Sequence, residues 1–244
     1  MVPLTRHGFR EMLIGSLVLV AVGVGLGFAW LPLSLLVIPV LIWLFAFFRD
    51  PERQVPAEQH VMVSPADGTV SDVTELSSYE WLDGEPCVRV GIFLSVFNVH
   101  VNRAPCDGVV RRVEYKKGKF INAMRHNEAS TDNESNTVVL GEPTTGRPIA
   151  VVKQIVGLIA RRIIFTAEKG EAVQRGQRIG MIKFGSRTEL SIPKWLDPQV
   201  KVEVGQTVRG AADVIAVLGK PIHTDQVKVD AEEFEPLASR VTPA

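Results

Sequence analysis

The sequence predicts a mainly β, β-rich α+β soluble domain carried behind an N-terminal hydrophobic helical hairpin. Three observations support this. Met12 to Phe48 is a run of 37 residues without one Asp, Glu, Lys or Arg. From Val61 onward the chain breaks into short Val/Ile-rich segments punctuated by Gly, Pro, Asp and Asn, the pattern of strands and turns. Two turn units also recur forty residues apart, Pro65-Ala66-Asp67-Gly68-Thr69-Val70 and Pro105-Cys106-Asp107-Gly108-Val109-Val110.

The apolar run comes first. As one straight helix it would be about 55 Å long, nearly twice the ~30 Å hydrocarbon core of a bilayer. A break near Leu31-Pro32 divides it into Met12 to Trp30 and Leu33 to Phe48, each near the lower length limit for a span. Arg6 and Arg10 precede the run, Arg49 and Arg53 follow it, and the turn is uncharged. The positive-inside rule then puts both ends, and the domain that follows, on the cytoplasmic side of the membrane. A cleaved signal peptide fits less well, because the run is too long and no small-residue cleavage site precedes the next charges. Re-entrant insertion suits two short, Gly/Pro-interrupted halves as well as full crossing does.

The expected division is an anchor over residues 1–50, a β-rich domain over 51–223 and an acidic, Pro-containing, poorly ordered tail over 224–244. A hydrophobic fraction of 46% supports a real core. With 27 basic and 27 acidic residues the formal charge is zero, so no global field favours nucleic acid. Cys87 and Cys106 are too few for a disulfide framework and lack metal-ligand spacing, which reads as structural, reduced thiols.

Within the β region, Asp-Gly at 67–68 and 107–108 is a hairpin signal. A second pair of units, Glu171 to Gly180 and Val202 to Gly210, places glycines at reversals and valines or isoleucines between them. Together these units resemble the barrel-sandwich arrangement of lipoyl and biotinyl domains. Asp132-Asn133-Glu134-Ser135-Asn136 is polar enough for a surface loop or a cap before a strand over Thr137 to Leu140. Met181-Ile182-Lys183-Phe184 ends a strand, and Gly185-Ser186 follows at once.

Gly-Ser alone is a turn dipeptide. Its company is more specific. Phe184-Gly185-Ser186-Arg187-Thr188-Glu189-Leu190 is preceded, in order, by Ser64-Pro65-Ala66-Asp67-Gly68, by Phe97-Asn98-Val99-His100-Val101-Asn102-Arg103-Ala104-Pro105, by Asn133-Glu134-Ser135-Asn136 and by Gln154 to Ile163. With the hydrophobic N-terminus, this series resembles the short bacterial type of phosphatidylserine decarboxylase proenzyme over residues 61 to about 220. The resemblance implies self-cleavage at Gly185-Ser186, with Ser186 consumed to make a covalent pyruvoyl (pyruvate) cofactor. It also implies decarboxylation of phosphatidylserine to phosphatidylethanolamine and CO2. A glycine before the serine lets the backbone take the strained geometry in which the hydroxyl reaches the preceding carbonyl.

The resemblance further implies Asp67 and His100 as the supporting acid and base. Read without it, Asp67 is equally a turn residue, and His100, in a strand over Phe97 to Val101, is more often a hydrogen-bonded core histidine. The long-form pattern has two histidines three residues apart, but the second position here is Arg103. Arginine cannot serve as a base near neutral pH, so the expectation is that Arg103 holds a carboxylate or the lipid phosphate. His7, His60, His126 and His223 form no pair with metal-ligand spacing, and no metal is expected. The expected partners are the phospholipid substrate in the membrane and the two products of cleavage, chains 1–185 and 186–244, which stay associated. Homo-oligomer formation is left open.

Competing readings are a non-catalytic membrane-anchored barrel-sandwich adaptor, which lacks its usual coiled coil here, and a lipoyl-type carrier, whose lysine should sit in a tight turn rather than at Lys183. A serine hydrolase lacks its Gly-x-Ser-x-Gly elbow. A decarboxylase of a serine-headgroup ether lipid shares every motif. Because the cleavage site lies in the β-rich region, a chain lacking residues 1–48 is expected to fold and cut itself.

Overall fold

The computed structural model describes residues 3–58, 60–123, 126–158, 162–183 and 185–223. The expected acidic tail over 224–244 lies outside the described residues. The apolar run folds as α1 Phe9–Ala29, a short α2 Leu31–Ser34 and α3 Val37–Phe47. The break falls at Trp30, whose backbone is extended, and Pro32 sits in the first turn of α2, where its missing N–H costs nothing. Arg6–Ala29 is long and apolar enough to cross a membrane by length and composition, whereas Leu31–Phe47 is shorter. Glycines let the arms approach closely: a Cβ on Gly15 would stand 2.8 Å from a Leu44 methyl, and one on Gly8 would collide with the Phe48 ring.

The strands among the described residues are, in chain order, β1 Val61–Val63, β2 Gly68–Leu76, β3 Cys87–Leu94, β4 Val101–Arg103 and β5 Gly108–Lys116. After helix α4 (His126–Asp132) come β6 Ser135–Gly141, β7 Pro148–Val156, β8 Arg162–Phe165, β9 Ala172–Val173 and β10 Arg178–Lys183. The series ends with β11 Ser186–Pro193, β12 Pro198–Val200, β13 Thr207–Val208 and β14 Val214–Leu218. Eight form one sheet in the order β13-β2-β3-β11-β7-β6-β5-β9, flanked by two three-stranded sheets, β1-β14-β12 and β4-β10-β8. Every pairing between these strands is antiparallel.

The order reads the same from both ends. β2 and β5 each carry a bulge, at Val70/Asp72 and at Val110/Arg112, forty residues apart. The Asp67 carboxylate accepts the Gly210 N–H at 2.8 Å, and the Asp107 carboxylate accepts the Arg175 N–H at 2.8 Å. Ala211 donates to the Ser64 carbonyl as Gly176 donates to that of Ala104, and both donors have positive φ (64° and 83°). The recurring units seen in the sequence are therefore two halves of one internally duplicated fold, related by an approximate two-fold axis between β11 and β7.

Two expectations need correction. The Asp-Gly dipeptides do not close hairpins: β1 pairs with β14 and β4 with β10, while β2 and β5 enter the large sheet. Each Asp-Gly turns the chain from one sheet to the next. The polar stretch after Ala129-Ser130 is not a surface loop either. Asn133, Ser135 and Asn136 are buried, because the stretch leads from α4 into β6 inside the large sheet, where Asn133 bonds the Ile121 and Val156 carbonyls and Asn136 bonds Gln154.

The core lies between the sheets, where Val90, Ile92, Leu94, Val138, Leu140, Val152, Leu190 and Ile192 meet side chains from both small sheets. Each fully buried aliphatic side chain of this kind contributes ~1.5–3 kcal/mol. Cys87 and Cys106 are buried and unpaired, as expected of structural thiols. On the outer face of β11, Arg187 is wholly buried and binds Glu189 (2.9 Å), Asp72 (2.6 Å) and Ser71.

Candidate active site

β10 runs into β11 through residues 184–185, so Gly185-Ser186 sits where the chain leaves a small sheet and enters the middle of the large one. Gly185 has φ +61°, a left-handed conformation that glycine adopts without strain. Ser186 opens β11, paired with Leu94 on one side and Val156 on the other. Its side chain points to the inner face, with Thr188 and Leu190, and its Oγ is buried without a hydrogen-bond partner among the described residues. Leaving such a hydroxyl unpaired costs about 1–3 kcal/mol, a deficit seldom tolerated without a reason.

His100, in the loop one residue before β4, reaches the same junction. Its Nδ1 lies 3.0 Å from the Asn98 carbonyl and its Nε2 lies 3.3 Å from the Gly185 nitrogen. Only one tautomer serves both contacts: Nδ1–H donates to the carbonyl, and the Nε2 lone pair accepts the Gly185 N–H. The ring is fully buried, and that burial, opposed by the Asn98 carbonyl, lowers its pKa to about 4. His100 is therefore neutral at ordinary pH, with its basic nitrogen on the Gly185-Ser186 segment.

The cover over His100 comes from the apolar N-terminus. The Phe47 ring, wholly buried, lies 4.3 Å from the imidazole centroid at 33°. Trp43 Nε1 donates to the Val96 carbonyl (3.3 Å) and Arg49 to that of Phe97 (2.6 Å), fixing the loop that presents Asn98. Lys183, two residues before Gly185, forms a 2.5 Å ion pair with Glu11 of α1 and is nearly buried. A lysine so held is no swinging carrier arm. The site is thus not confined to the β-rich region, which corrects the premise that a chain lacking residues 1–48 retains it whole.

Asp67 and Arg103 are engaged with other partners, although Asp67 leads into β2 at the sheet end where Leu94 pairs with Ser186. Asp67 holds the Gly210 N–H and forms a 2.7 Å ion pair with Arg53, and it makes no hydrogen bond to His100 or Ser186. Burial raises its pKa, against the opposing pull of Gly210 and Arg53. Arg103 is buried, and its guanidinium donates to Asp50 (2.9 Å) and to the carbonyls of Pro51 (3.1 Å) and Gly176 (3.1 Å). The carboxylate it holds is that of Asp50.

Other residues shape the junction without having stood out in the sequence. A Cβ on Gly157 would collide with the Gly185 carbonyl oxygen. Asn133 donates to the carbonyls of Val156 (2.8 Å) and Ile121 (2.8 Å), fixing the strand end next to Gly157. A buried chain of side chains runs Asn136 to Gln154 (3.0 Å), Gln154 to Asn102 (2.9 Å) and Asn102 to Thr188 (3.0 Å). It ties β4, which His100 immediately precedes, to β11, which begins with Ser186. The quoted motifs contain all of these residues except Ile121, but nothing in their spacing assigns them these partners.

Most of the chain also matches known proteins. A sequence model of the family described as phosphatidylserine decarboxylase matches residues 40–216. A phosphatidylserine decarboxylase proenzyme of Rhodopirellula baltica is 42% identical over 215 residues, 88% of each chain. One of Carboxydothermus hydrogenoformans is 44% identical over 183 residues, 75% of this chain and 83% of the relative. One of Wolbachia pipientis is 45% identical over 177 residues, 71% and 75% of the two chains. On these matches, and with Gly185-Ser186 and His100 brought together at one junction, the chain belongs to the phosphatidylserine decarboxylase family of enzymes.

Proposed function

We propose that this protein cuts itself between Gly185 and Ser186, converts Ser186 to a pyruvoyl group, and then decarboxylates phosphatidylserine to phosphatidylethanolamine and CO2. The observation that carries the reading is the Ser186 hydroxyl, buried and without a hydrogen-bond partner among the described residues, beside a left-handed glycine whose N–H rests on a neutral histidine.

The chemistry follows from those groups. Ser186 Oγ attacks the Gly185 carbonyl carbon, and His100 Nε2, once its lone pair leaves the Gly185 N–H, takes the hydroxyl proton. The C–N bond breaks, an ester forms, and the proton passes to the new Ser186 amine. Removal of the Ser186 α-proton then expels the Gly185 carboxylate and leaves a dehydroalanine. This tautomerises to an imine and takes up water, releasing ammonia. The Gly157 backbone leaves room for the carbonyl oxygen as it turns tetrahedral. His100 enters the sequence neutral because its burial, under Phe47, disfavours the cation. The site fits the group, since Ser186 starts a strand clamped on both sides and its side chain needs no other partner. When formed, the pyruvoyl carbonyl supplies the electron sink for loss of CO2.

The product chains would be residues 1–185 and 186–244, the second having 244 minus 185, or 59, residues. They stay together because β11 is hydrogen-bonded to β3 and β7, both from the first chain. The apolar arms seat the enzyme on the bacterial inner membrane with the β domain on the cytoplasmic side, where its lipid substrate lies. Asp67 is assigned a supporting role in self-cleavage, acting through the turn it holds.

Intact mass and denaturing gels test the reading. The wild-type chain should run as two fragments, the smaller blocked at its N-terminus and reactive toward a carbonyl reagent, and Ser186→Ala should stay whole and inactive. An intact, active wild-type chain with an ordinary Ser186 would sink it.

A further inference from the structure

Phe97 and Leu158 are the two most exposed large apolar side chains of the β domain among the described residues, at 72% and 65%. Each adjoins a residue that packs on the cleavage junction. The Val96 side chain stands 3.9 Å from where a Cβ on Gly185 would lie, and Gly157 faces the Gly185 carbonyl. The two apolar groups therefore flank Gly185-Ser186 from opposite sides.

The Phe97 side is continuous with the anchor. Trp43 and Arg49, at the end of α3, hold the carbonyls of Val96 and Phe97, and α3 exposes Ile42 (63%) and Phe45 (39%) along the same arm. Large exposed apolar groups bordering an apolar arm mark a surface that leaves water. An aromatic side chain offers 150–250 Å² for burial in the headgroup and acyl boundary.

We propose that Phe97 and Leu158 form a membrane-inserting rim around the Gly185-Ser186 junction. Its occupant is the phospholipid bilayer, from which substrate moves sideways into the site without crossing water. The inference rests on the lipid-decarboxylase reading for its purpose, but its test does not depend on turnover.

The test uses the full chain with single cysteines at Phe97→Cys, Leu158→Cys and, as a control, Ser77→Cys. Ser77 lies beyond Leu76, at the end of the β2–β3 pair remote from Leu94 and the junction. Cys87 and Cys106 are buried, so an environment-sensitive thiol dye labels the introduced site. In phosphatidylethanolamine/phosphatidylglycerol vesicles, dyes at 97 and 158 should shift to the blue and be quenched by lipids spin-labelled near the headgroup, while the dye at 77 stays unchanged. Phe97→Ser/Leu158→Ser should cut itself normally and turn over a monomeric short-chain phosphatidylserine at the wild-type rate. On vesicles its rate should fall by roughly tenfold, the loss of a favourable lipid contact. Dyes at 97 and 158 that behave like the one at 77 would overturn the proposal. So would a blue shift that follows protein concentration in detergent rather than lipid, because a second copy would then be the occupant. If the wild-type enzyme fails to decarboxylate phosphatidylserine but the dyes still report lipid, the activity assignment falls and the rim stands.

Discussion

Phe47→Ala should move the acid limit of self-cleavage toward neutral pH. The Phe47 ring covers a fully buried imidazole at 4.3 Å, and desolvation is the first cause of that imidazole's pKa of about 4 instead of 6.5. Above about pH 4 the wild-type base is neutral, so at pH 5 ~90% of it is available. If removing the ring restores full hydration, the pKa returns to about 6.5 and ~3% is available at pH 5, a loss of about thirtyfold. Partial hydration gives a shift of about one unit and a loss near twofold at pH 5. At pH 8 the base is neutral in both proteins, and the titration no longer separates them. The truncation also removes packing worth ~3–5 kcal/mol, so Phe47→Leu, which keeps most of the volume, is the companion variant. Precursor made by cell-free synthesis can be shifted to buffers from pH 4.5 to 8 and the uncut fraction followed on denaturing gels. An acid limb for folded Phe47→Ala that superimposes on the wild type would refute the claim that the anchor sets the state of His100.

Other outcomes follow from single contacts. Gly157→Ala should fold but cut at least tenfold more slowly, because its methyl meets the scissile carbonyl oxygen; normal cleavage with an unchanged melting temperature would show that the carbonyl has other room. Asp67→Ala and Asp107→Ala remove the same turn contact in the two halves, at about 1–3 kcal/mol each by thermal or urea melts. Only Asp67→Ala should slow cleavage, and equal cleavage in both variants would reduce Asp67 to a turn residue. Buried neutral His100 also makes the fold acid-sensitive. Its folded pKa lies below the unfolded value of 6.5, so the unfolded chain binds the extra proton and stability falls as pH drops from 6.5 toward 4. The loss approaches about 3 kcal/mol over that window, and His100→Asn should flatten the corresponding part of the melting curve.

Much of this was legible in the sequence because it depends on local chemistry. Both repeated turn units marked real halves of the fold, Pro32 marked the start of the second arm, and Gly185-Ser186 fell at a strand end, as the glycine and the preceding apolar run implied. What stayed hidden depends on contacts made at long range. Phe47 reads as one more apolar residue until the loop before β4 brings His100 beneath it, 53 residues later. Asn133 to Asn136 read as surface because polarity alone cannot distinguish a solvated amide from one whose partners, Val156 and Gln154, arrive from β7. Asp-Gly suggested hairpins because the dipeptide encodes a sharp reversal, without encoding which sheet receives the next strand. Arg103 was expected to hold a carboxylate or the lipid phosphate as a substrate contact; its guanidinium instead pairs with Asp50, the first acid after the apolar run, a long-range contact that spacing does not encode.

The position of β11 has a consequence for the order of events in the life of the molecule. The strand that would begin the small chain is the fourth of eight in the large sheet, closed in by β3 and β7. Two separate polypeptides would have to find that gap after the sheet around it had formed, whereas one continuous chain threads it during folding. Scission would then make the route irreversible. The mature enzyme would hold its shape by kinetics, and once melted it would have lost the covalent connection that brought β11 home.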